Sequence, residues 1–154
     1  MKKLLIAGFV VFVLFSCSKD KYQTTPQISI KSISSKVIPV NGSLNIVLSF
    51  TDKQGDVRDS LFMKKIRLNK TVVPTVRDSL KFKIPDFPDS PKGEISIALD
   101  YTFHLVSAQT PPPVVGSNPA RSQPDTLNIQ MWVRDKGGHI SDTVSTGQIV
   151  VITQ

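Results

Sequence analysis

The chain has 154 residues, which suits one domain, and 40% of them are hydrophobic, which is enough for an apolar core. Its formal net charge is +7, but the charges are scattered and no block of five like charges occurs, which excludes a basic nucleic-acid-binding arm. Cys17 is the only cysteine, so the fold contains no intramolecular disulfide.

The first sixteen residues (1–16) have the three parts of a secretory signal. Lys2 and Lys3 supply the positive start. Leu4–Phe15 is uncharged and almost wholly apolar, and Ser16 is the small residue before the cut. A dozen residues at about 1.5 Å each are too short to cross a hydrocarbon core of roughly 30 Å. We therefore predict a cleaved signal peptide.

The residues around Cys17 resemble the lipobox of bacterial lipoproteins. The motif is Leu14-Phe15-Ser16-Cys17, with Phe15 where the family usually has a small or β-branched residue. In that family the cysteine carries acyl chains such as palmitate and becomes the mature N-terminus. Two or more chains on one residue give stable anchoring. The resemblance implies that Cys17 is lipidated; an ordinary signal peptide or an uncleaved anchor is the alternative.

The residues that follow the cysteine bear on localisation. Ser18 is not the aspartate that commonly retains lipoproteins of this family in the inner membrane, which favours the outer membrane. Lys19-Asp20-Lys21 resembles in part the surface-export signals of Bacteroidetes-type lipoproteins. Residues 17–26 are polar and end in a proline, so we predict a lipidated N-terminus and a tether that lifts the domain off the membrane.

Apolar and polar residues alternate from Gln27 onward, which predicts strands separated by turns. The longest alternation is Glu94–Val106, and Thr71–Val76 contains Pro74, which suits an edge strand. No stretch combines a helical period with a cap. The predicted strands are Gln27–Ser34, Lys36–Val40, Ser43–Thr51, Leu61–Asn69, Thr71–Val76, Ser79–Ile84, Glu94–Val106, Asp125–Asp135 and Asp142–Thr153.

This pattern predicts an all-β fold: a single antiparallel β-sandwich of about seven strands over residues 27–154, immunoglobulin-like or fibronectin-III-like in topology. Two segments add a resemblance. Phe50–Asp56 is similar to the F-T-D-x-x-G-D turn of bacterial immunoglobulin-like and cadherin-like lipoprotein modules. Val133–Asp142 is similar to their D-x-x-G-N-x-S hairpin, with His139 in place of the usual asparagine. The resemblance supports the fold and says almost nothing about function.

Aspartates are concentrated in these two turns. In a seven-strand sandwich, the loop after the second strand and the loop before the last strand emerge at one pole. Asp52 and Asp56, with Asp59 as a further candidate, would then approach Asp135 and Asp142. Clustered carboxylates suit Ca²⁺, which takes six to eight oxygen ligands. Plain turn chemistry without a metal is the alternative, because aspartate side chains accept hydrogen bonds from nearby backbone N–H groups.

Ser107–Pro124 is a loop of eighteen residues, five of them proline. Loops longer than about 12–15 residues are usually functional or disordered. The run Pro111, Pro112 and Pro113 favours extended polyproline II, which loses little entropy on binding. These prolines are therefore a candidate partner-binding segment, and a mobile surface insertion is the alternative.

Trp132 is the only tryptophan. The alternation of its strand turns Met131 and Val133 inward, so Trp132 faces outward with Gln130 and Arg134. An outward tryptophan can serve as a sugar platform or as the anchor of a partner. Packing under a neighbouring loop or on an arginine stem is the alternative.

Catalytic patterns are missing from the sequence. His104 and His139 are the only histidines, and no H-x-x-x-H pair, G-x-S-x-G elbow or G-x-x-x-x-G-K-[ST] loop occurs. We predict a non-enzymatic lipoprotein of the cell outer membrane, periplasmic or surface-exposed, with a binding or structural role and no cofactor unless the aspartates take calcium. Its partners would be the membrane and an envelope protein or glycan, not nucleic acid. A carbohydrate-binding or nutrient-uptake accessory module and a calcium-dependent adhesion module are the alternatives.

Overall fold

The computed structural model describes residues 22–153. The predicted signal peptide, the predicted lipidation site at Cys17 and the first part of the predicted tether lie outside the described residues. Within them, the strands form two sheets whose inner faces share one hydrophobic core. The prediction of an all-β sandwich is therefore confirmed.

Eight strands, numbered in chain order, are present in residues 22–153. They are β1 (Gln27–Ile33), β2 (Val37–Ile38), β3 (Ser43–Thr51), β4 (Ser60–Arg67), β5 (Ser79–Lys83), β6 (Lys92–Asp100), β7 (Asp125–Arg134) and β8 (Val144–Val151). One sheet has the order β1-β3-β6 and the other has the order β2-β8-β7-β4-β5. These pairings are antiparallel except that of β2, which runs parallel to β8.

Alternation in β3 and β7 builds the centre of the core. Successive side chains of a strand point to opposite faces, so every second residue of each strand meets the other sheet. These positions are apolar and buried in both strands: Leu44, Ile46, Leu48 and Phe50 in β3, and Leu127, Ile129, Met131 and Val133 in β7. The period-two pattern of the sequence is therefore the direct cause of the two-layer fold.

β6 ends at Asp100, so the prediction of one long strand over Glu94–Val106 is wrong. Tyr101–Leu105 forms a single π-helical turn instead. Asp100 Oδ1 accepts hydrogen bonds from the backbone N–H groups of Thr102 (2.8 Å) and Phe103 (2.9 Å), which caps the turn. The first and last residues of the turn are buried, while Phe103 is 66% exposed. The apolar residues of this segment alternate in the sequence as they would in a strand, but in the fold they belong to a helical turn.

The predicted edge strand Thr71–Val76 is also wrong, because this segment forms no strand. It contributes one isolated bridge, between Thr75 and Ala108. Pro74 has no N–H to donate, and its carbonyl accepts from Gln109 N at 2.9 Å. The segment therefore crosses the end of the sandwich and pairs with the start of the proline-rich loop.

The two ends of the sandwich differ in what they carry. One end, which we call the acidic pole, comprises residues 22–26, 52–59, 84–91 and 135–143; the other, the far pole, comprises 39–42, 68–78 and 101–124. Lys53 N donates to Gln23 O at 2.8 Å, which holds the beginning of the described chain at the acidic pole. The described chain thus enters the domain at the acidic pole, and the proline-rich loop leaves it at the far pole.

Candidate functional site

Asp52 closes the turn that follows β3. Its Oδ2 accepts hydrogen bonds from Gly55 N (2.7 Å) and Asp56 N (3.2 Å), and its side chain is fully buried. Gly55 has a φ of +74°, and a Cβ there would lie 2.6 Å from Ser90 N. Only glycine fits this position, so the sequence Asp52-Lys53-Gln54-Gly55 fixes the direction of the Asp52 carboxylate.

Asp135 closes the corresponding turn after β7. Its Oδ1 accepts from His139 N at 2.8 Å, and its Oδ2 lies 2.9 Å from His139 Nδ1. The backbone N–H of Asp135 donates in return to the carbonyl of His139 at 3.1 Å. Asp135 is 1% exposed, so a second buried carboxylate is fixed by its own turn.

The two turns meet and bring three carboxylates together. Lys136 N donates to the carbonyl of Asp56 at 3.2 Å. One carboxylate oxygen from each of Asp52, Asp56 and Asp135 lies within 4.8 Å of the others. We call these three residues the aspartate cluster. Three of the four aspartates predicted to converge are therefore in contact range, whereas Asp142 is exposed and lies outside the cluster.

Two oxygens of the aspartate cluster lack a hydrogen-bond partner. They are Asp52 Oδ1 and Asp56 Oδ1, and both atoms are buried. The pKa of Asp56 is raised, first by burial and then by the negative charge of Asp135 and by the Asp52 carboxyl. The cluster is therefore a site where negative charge is crowded and incompletely compensated by hydrogen bonds.

Three cations at or beside the acidic pole form ion pairs with acids outside the aspartate cluster. Arg58 pairs with Asp89 and also donates to Phe87 O at 3.0 Å. Lys136 pairs with Asp86 at 3.3 Å. The Arg134 guanidinium hydrogen-bonds to Asp59 and lowers the pKa of that carboxyl, which therefore belongs to an ion pair and not to the cluster.

The proline-rich loop is closed at its base by a buried aspartate. Asp125 Oδ2 accepts from Ser107 N (3.0 Å) and Ala108 N (2.8 Å), and Asp125 Oδ1 accepts from Arg67 Nε (2.6 Å). Asp125 is fully buried. This role was not predicted from the sequence; the signal was an aspartate at the first position of a strand that follows a long loop.

The loop itself has a hydrogen-bonded structure. Val114 N donates to Arg121 O at 2.8 Å, and Gln123 N donates to Pro112 O at 2.7 Å. Pro111 and Pro112 are half-buried, while Pro113 is exposed. The segment therefore forms two arms that are joined by backbone hydrogen bonds, and its tip projects from the far pole.

Trp132 faces outward from the five-stranded sheet. It lies opposite Phe62, and the two rings stack with their centroids 5.7 Å apart and an interplanar angle of 6°. Lys81 Nζ and the Arg134 guanidinium carbon lie 5.5 and 5.8 Å from the Phe62 ring centroid. Trp132 is half-buried, because the Phe62 ring covers part of its indole.

Both histidines contact a nearby aspartate residue. His104 Nδ1 accepts from Asp100 N at 2.9 Å, within the π-helical turn and not on a strand as its alternation had suggested. His139 contacts Asp135 through both its backbone and its ring. Both side chains therefore have structural partners.

Large apolar side chains are exposed mainly at the far pole. Within residues 22–153 they include five in the loops of the far pole, namely Leu68 (47%), Val72 (91%), Phe103 (66%), Val114 (41%) and Val115 (98%). Ile140, at 55%, is the corresponding residue in the loops of the acidic pole. Exposed apolar surface is therefore distributed unequally between the two ends.

Comparison with protein-family models, curated proteins and solved structures finds no match to this chain. None of the helical structure in residues 22–153 is long and apolar enough to cross a membrane.

Proposed function

We propose that this chain is a non-catalytic binding module of the bacterial cell envelope, with an immunoglobulin-like sandwich. A lipid on Cys17 holds it to the outer membrane, and the far pole contacts an envelope protein. The observation that carries the proposal is the concentration of exposed apolar side chains at the pole opposite the tether.

The path of the chain supports this orientation. Gln27 pairs with Thr51 at the acidic pole, so the tether leads away from that end. The nine residues of β3 span roughly 30 Å at about 3.3 Å per residue. A lipid at Cys17 therefore places the acidic pole beside the bilayer and the far pole about one domain length further out.

The chemistry of the far pole supports a protein partner. Exposed apolar residues that occur singly are normal, whereas a contiguous apolar patch is typical of an interaction surface. The five exposed apolar residues in the loops of the far pole are the material for such a patch. Val114 and Val115 are at the tip of a loop with its own backbone pairing, so less conformational entropy is lost when the tip is covered.

The anchor is tested by intact mass of the protein extracted from membranes. We expect a mature chain that begins at Cys17 and carries added acyl chains, and we expect the Cys17→Ala variant to lose both the added mass and the membrane association. An unlipidated mature mass in the unchanged protein would remove the anchor from the proposal.

The far pole is tested by photo-crosslinking in cells with a probe at Val72. We expect a discrete adduct that Val115→Asp abolishes, because a buried aspartate would oppose the same contact. Ile140→Asp is the control: it adds the same charge at an exposed apolar residue of the acidic pole (55% exposed, against 98% for Val115), and the adduct should persist. An adduct that both variants weaken equally, or no adduct at all, would count against the proposal.

A carbohydrate-binding accessory module is the second candidate. The stacked Phe62–Trp132 pair beside Lys81 and Arg134 favours an acidic glycan, because a ring and cations lie on one outward face. Gel electrophoresis in acidic polysaccharide should then retard the chain, and Trp132→Ala should remove the retardation. Equal mobility with and without the polysaccharide would discard this candidate.

A further inference from the structure

We infer that Asp52, Asp56 and Asp135 bind one Ca²⁺ ion, and that this ion joins the two sheets at the acidic pole. Such a site is independent of the partner proposed for the far pole. The starting point is the pair of buried oxygens in the aspartate cluster that have no hydrogen-bond partner.

The Asp52 carboxylate has one unpartnered oxygen. Asp52 is fully buried, and hydrogen bonds from Gly55 N and Asp56 N satisfy only its Oδ2. Its Oδ1 is buried with nothing to accept from. Buried polar atoms of native proteins are almost always paired, and a charged oxygen is the most costly one to leave bare. A ligand that supplies positive charge at this point removes that cost.

The spacing of the carboxylates suits calcium. Ca²⁺ holds its oxygens at 2.3–2.6 Å, so two oxygens on opposite sides of one ion are about 5 Å apart. The ligand oxygens of the cluster lie within 4.8 Å of one another, which one Ca²⁺ accommodates. Mg²⁺ demands near-ideal octahedral geometry and gives up its waters reluctantly, whereas Ca²⁺ accepts flexible geometry. A set of protein carboxylates fixed by their own turns therefore suits calcium better than magnesium.

The turns hold the carboxylates in place before any ion arrives. Gly55 N and Asp56 N orient Asp52, and His139 N orients Asp135. A carboxylate oxygen that accepts one hydrogen bond keeps a lone pair for a cation. Three carboxylates in a fixed geometry together supply what a weak, extracellular type of calcium site needs.

The position of the ion has a structural consequence. Asp52 follows β3 of the three-stranded sheet, and Asp135 follows β7 of the five-stranded sheet. Without an ion, the hydrogen bond from Lys136 N to Asp56 O and the core join these turns, against the repulsion of the carboxylates. With an ion, that repulsion becomes an attraction between the two layers. Binding should therefore raise the unfolding temperature.

A proton shared between Asp52 and Asp56 is the competing way to satisfy the bare oxygens. It predicts a domain that needs no metal and gains nothing from calcium. The two cases are separable, because a proton is already present in metal-free buffer whereas an ion must be added.

The test uses the purified full chain after removal of metals with EDTA. Titration with CaCl₂ in a calorimeter should give saturable heat with a Kd of about 10⁻⁴–10⁻³ M, the range of extracellular calcium modules. The unfolding temperature should rise by several degrees in millimolar Ca²⁺ and less in Mg²⁺. No heat together with an unchanged unfolding temperature would overturn the inference, and an equal response to Mg²⁺ would overturn the assignment to calcium.

Asp56→Asn is the variant to use, because Asp52 and Asp135 also hold their turns by hydrogen bonds. We expect Ca²⁺ to bind at least about tenfold more weakly, since affinity follows the ligand charge. We also expect the metal-free variant to unfold at a higher temperature than the metal-free parent, since one repelling charge is gone. Asp142→Asn removes an equal charge from the same pole outside the cluster, and it should respond to calcium as the parent does. A parental calcium response in Asp56→Asn would refute the site.

Discussion

Gly55 is a position of the acidic pole that does not tolerate a side chain. Its φ is +74°, and a Cβ at this position would lie 2.6 Å from Ser90 N, so a side chain is excluded for two separate reasons. Gly116 allows the two reasons to be measured separately, because its φ is +76° but nothing lies within 4 Å of its Cβ position. The two glycines thus form a matched pair.

We expect Gly116→Ala to lower the free energy of unfolding by about 1 kcal/mol, the cost of the left-handed backbone alone. Gly55→Ala should cost about 2–3 kcal/mol more, because Ser90 must also move. Urea unfolding of both variants measures the difference. Equal losses would show that the contact with Ser90 relaxes freely and that the turn around Asp52 is softer than its geometry indicates.

Lys65 makes the stability of the fold depend on pH. It is 3% exposed, and its ammonium group donates to Val106 O (2.8 Å) and Val76 O (3.3 Å). The pKa of Lys65 is lowered from 10.5 to about 8, chiefly by burial; Asp78 and Asp125 oppose this shift, and Arg77 contributes to it. The charged form is therefore held in the fold at a cost.

The sign follows from proton uptake on unfolding. Between about pH 8 and pH 10.5 the unfolded chain holds the Lys65 proton and the folded chain does not, so stability rises with pH. We expect a slope from this residue that approaches about 1.4 kcal/mol per pH unit. Below pH 8 both states are protonated and the slope from this residue vanishes. Lys65→Met should remove the slope, and the difference between parent and variant in urea unfolding isolates it. A parent curve parallel to that of the variant from pH 8 to pH 10 would refute this account.

Asp125 acts at the scale of elements, because it joins the start of β7, the end of β4 and both ends of the proline-rich loop. Arg67, its partner in β4, is itself incompletely satisfied, since its Nη2 is buried without a hydrogen-bond partner. Removing one member of a buried ion pair leaves the other charge uncompensated. We expect Asp125→Asn to lower the free energy of unfolding by about 3–5 kcal/mol in urea unfolding.

The double variant Asp125→Leu with Arg67→Met distinguishes the ion pair from the clamp on the loop. Apolar replacement of both charges often restores stability. Here it should restore only part, because the N–H groups of Ser107 and Ala108 would still lose their acceptor. Full recovery would mean that the closure of the loop contributes nothing. Asp142→Asn, an exposed change, should stay within about 0.5 kcal/mol of the parent.

The strands and the π-helical turn mark how far the sequence predicts the elements. Strand alternation is local, so the inward faces of β3 and β7 follow from residue order alone. The turn at Tyr101–Leu105 keeps apolar residues at alternating positions, and only the cap at Asp100 and the burial of Leu105 in the core distinguish it from a strand. Burial in the core depends on distant residues, which a local period does not contain.

The candidate sites likewise have features that the sequence predicts and features that it does not. The meeting of the Asp52 and Asp135 turns follows from the topology of a sandwich and is predictable from the sequence. The exclusion of Asp142 and the bare oxygens of Asp52 and Asp56 depend on which hydrogen bonds each side chain makes, and only the folded chain determines these. The burial of Lys65 could have been predicted from the sequence, because its alternation with Leu61 and Met63 turns it inward.

At the scale of the whole molecule, the proposed lipid anchor, the tether and the strands together would determine how the domain stands on the membrane. Gln23 is already held against Lys53, so few residues separate Cys17 from the acidic pole. Even ten flexible residues have an end-to-end distance of only about 18 Å. The ten residues of β7 extend the domain by roughly 33 Å beyond that. The difference in height between the two poles above a bilayer should therefore exceed the variation in height that a flexible tether allows.

Energy transfer to a lipid dye measures that height. The proposed acylation would block Cys17, so a donor dye on Val115→Cys or on Ile140→Cys would label one pole at a time in protein reconstituted into vesicles. We expect strong transfer from position 140 and weak transfer from position 115, because transfer falls steeply over a difference of about 30 Å. The unlipidated Cys17→Ala background is the control and should show no transfer from either position. Equal transfer from both positions in the lipidated protein would mean that the domain lies on its side, which would withdraw the far pole as the surface presented to a partner.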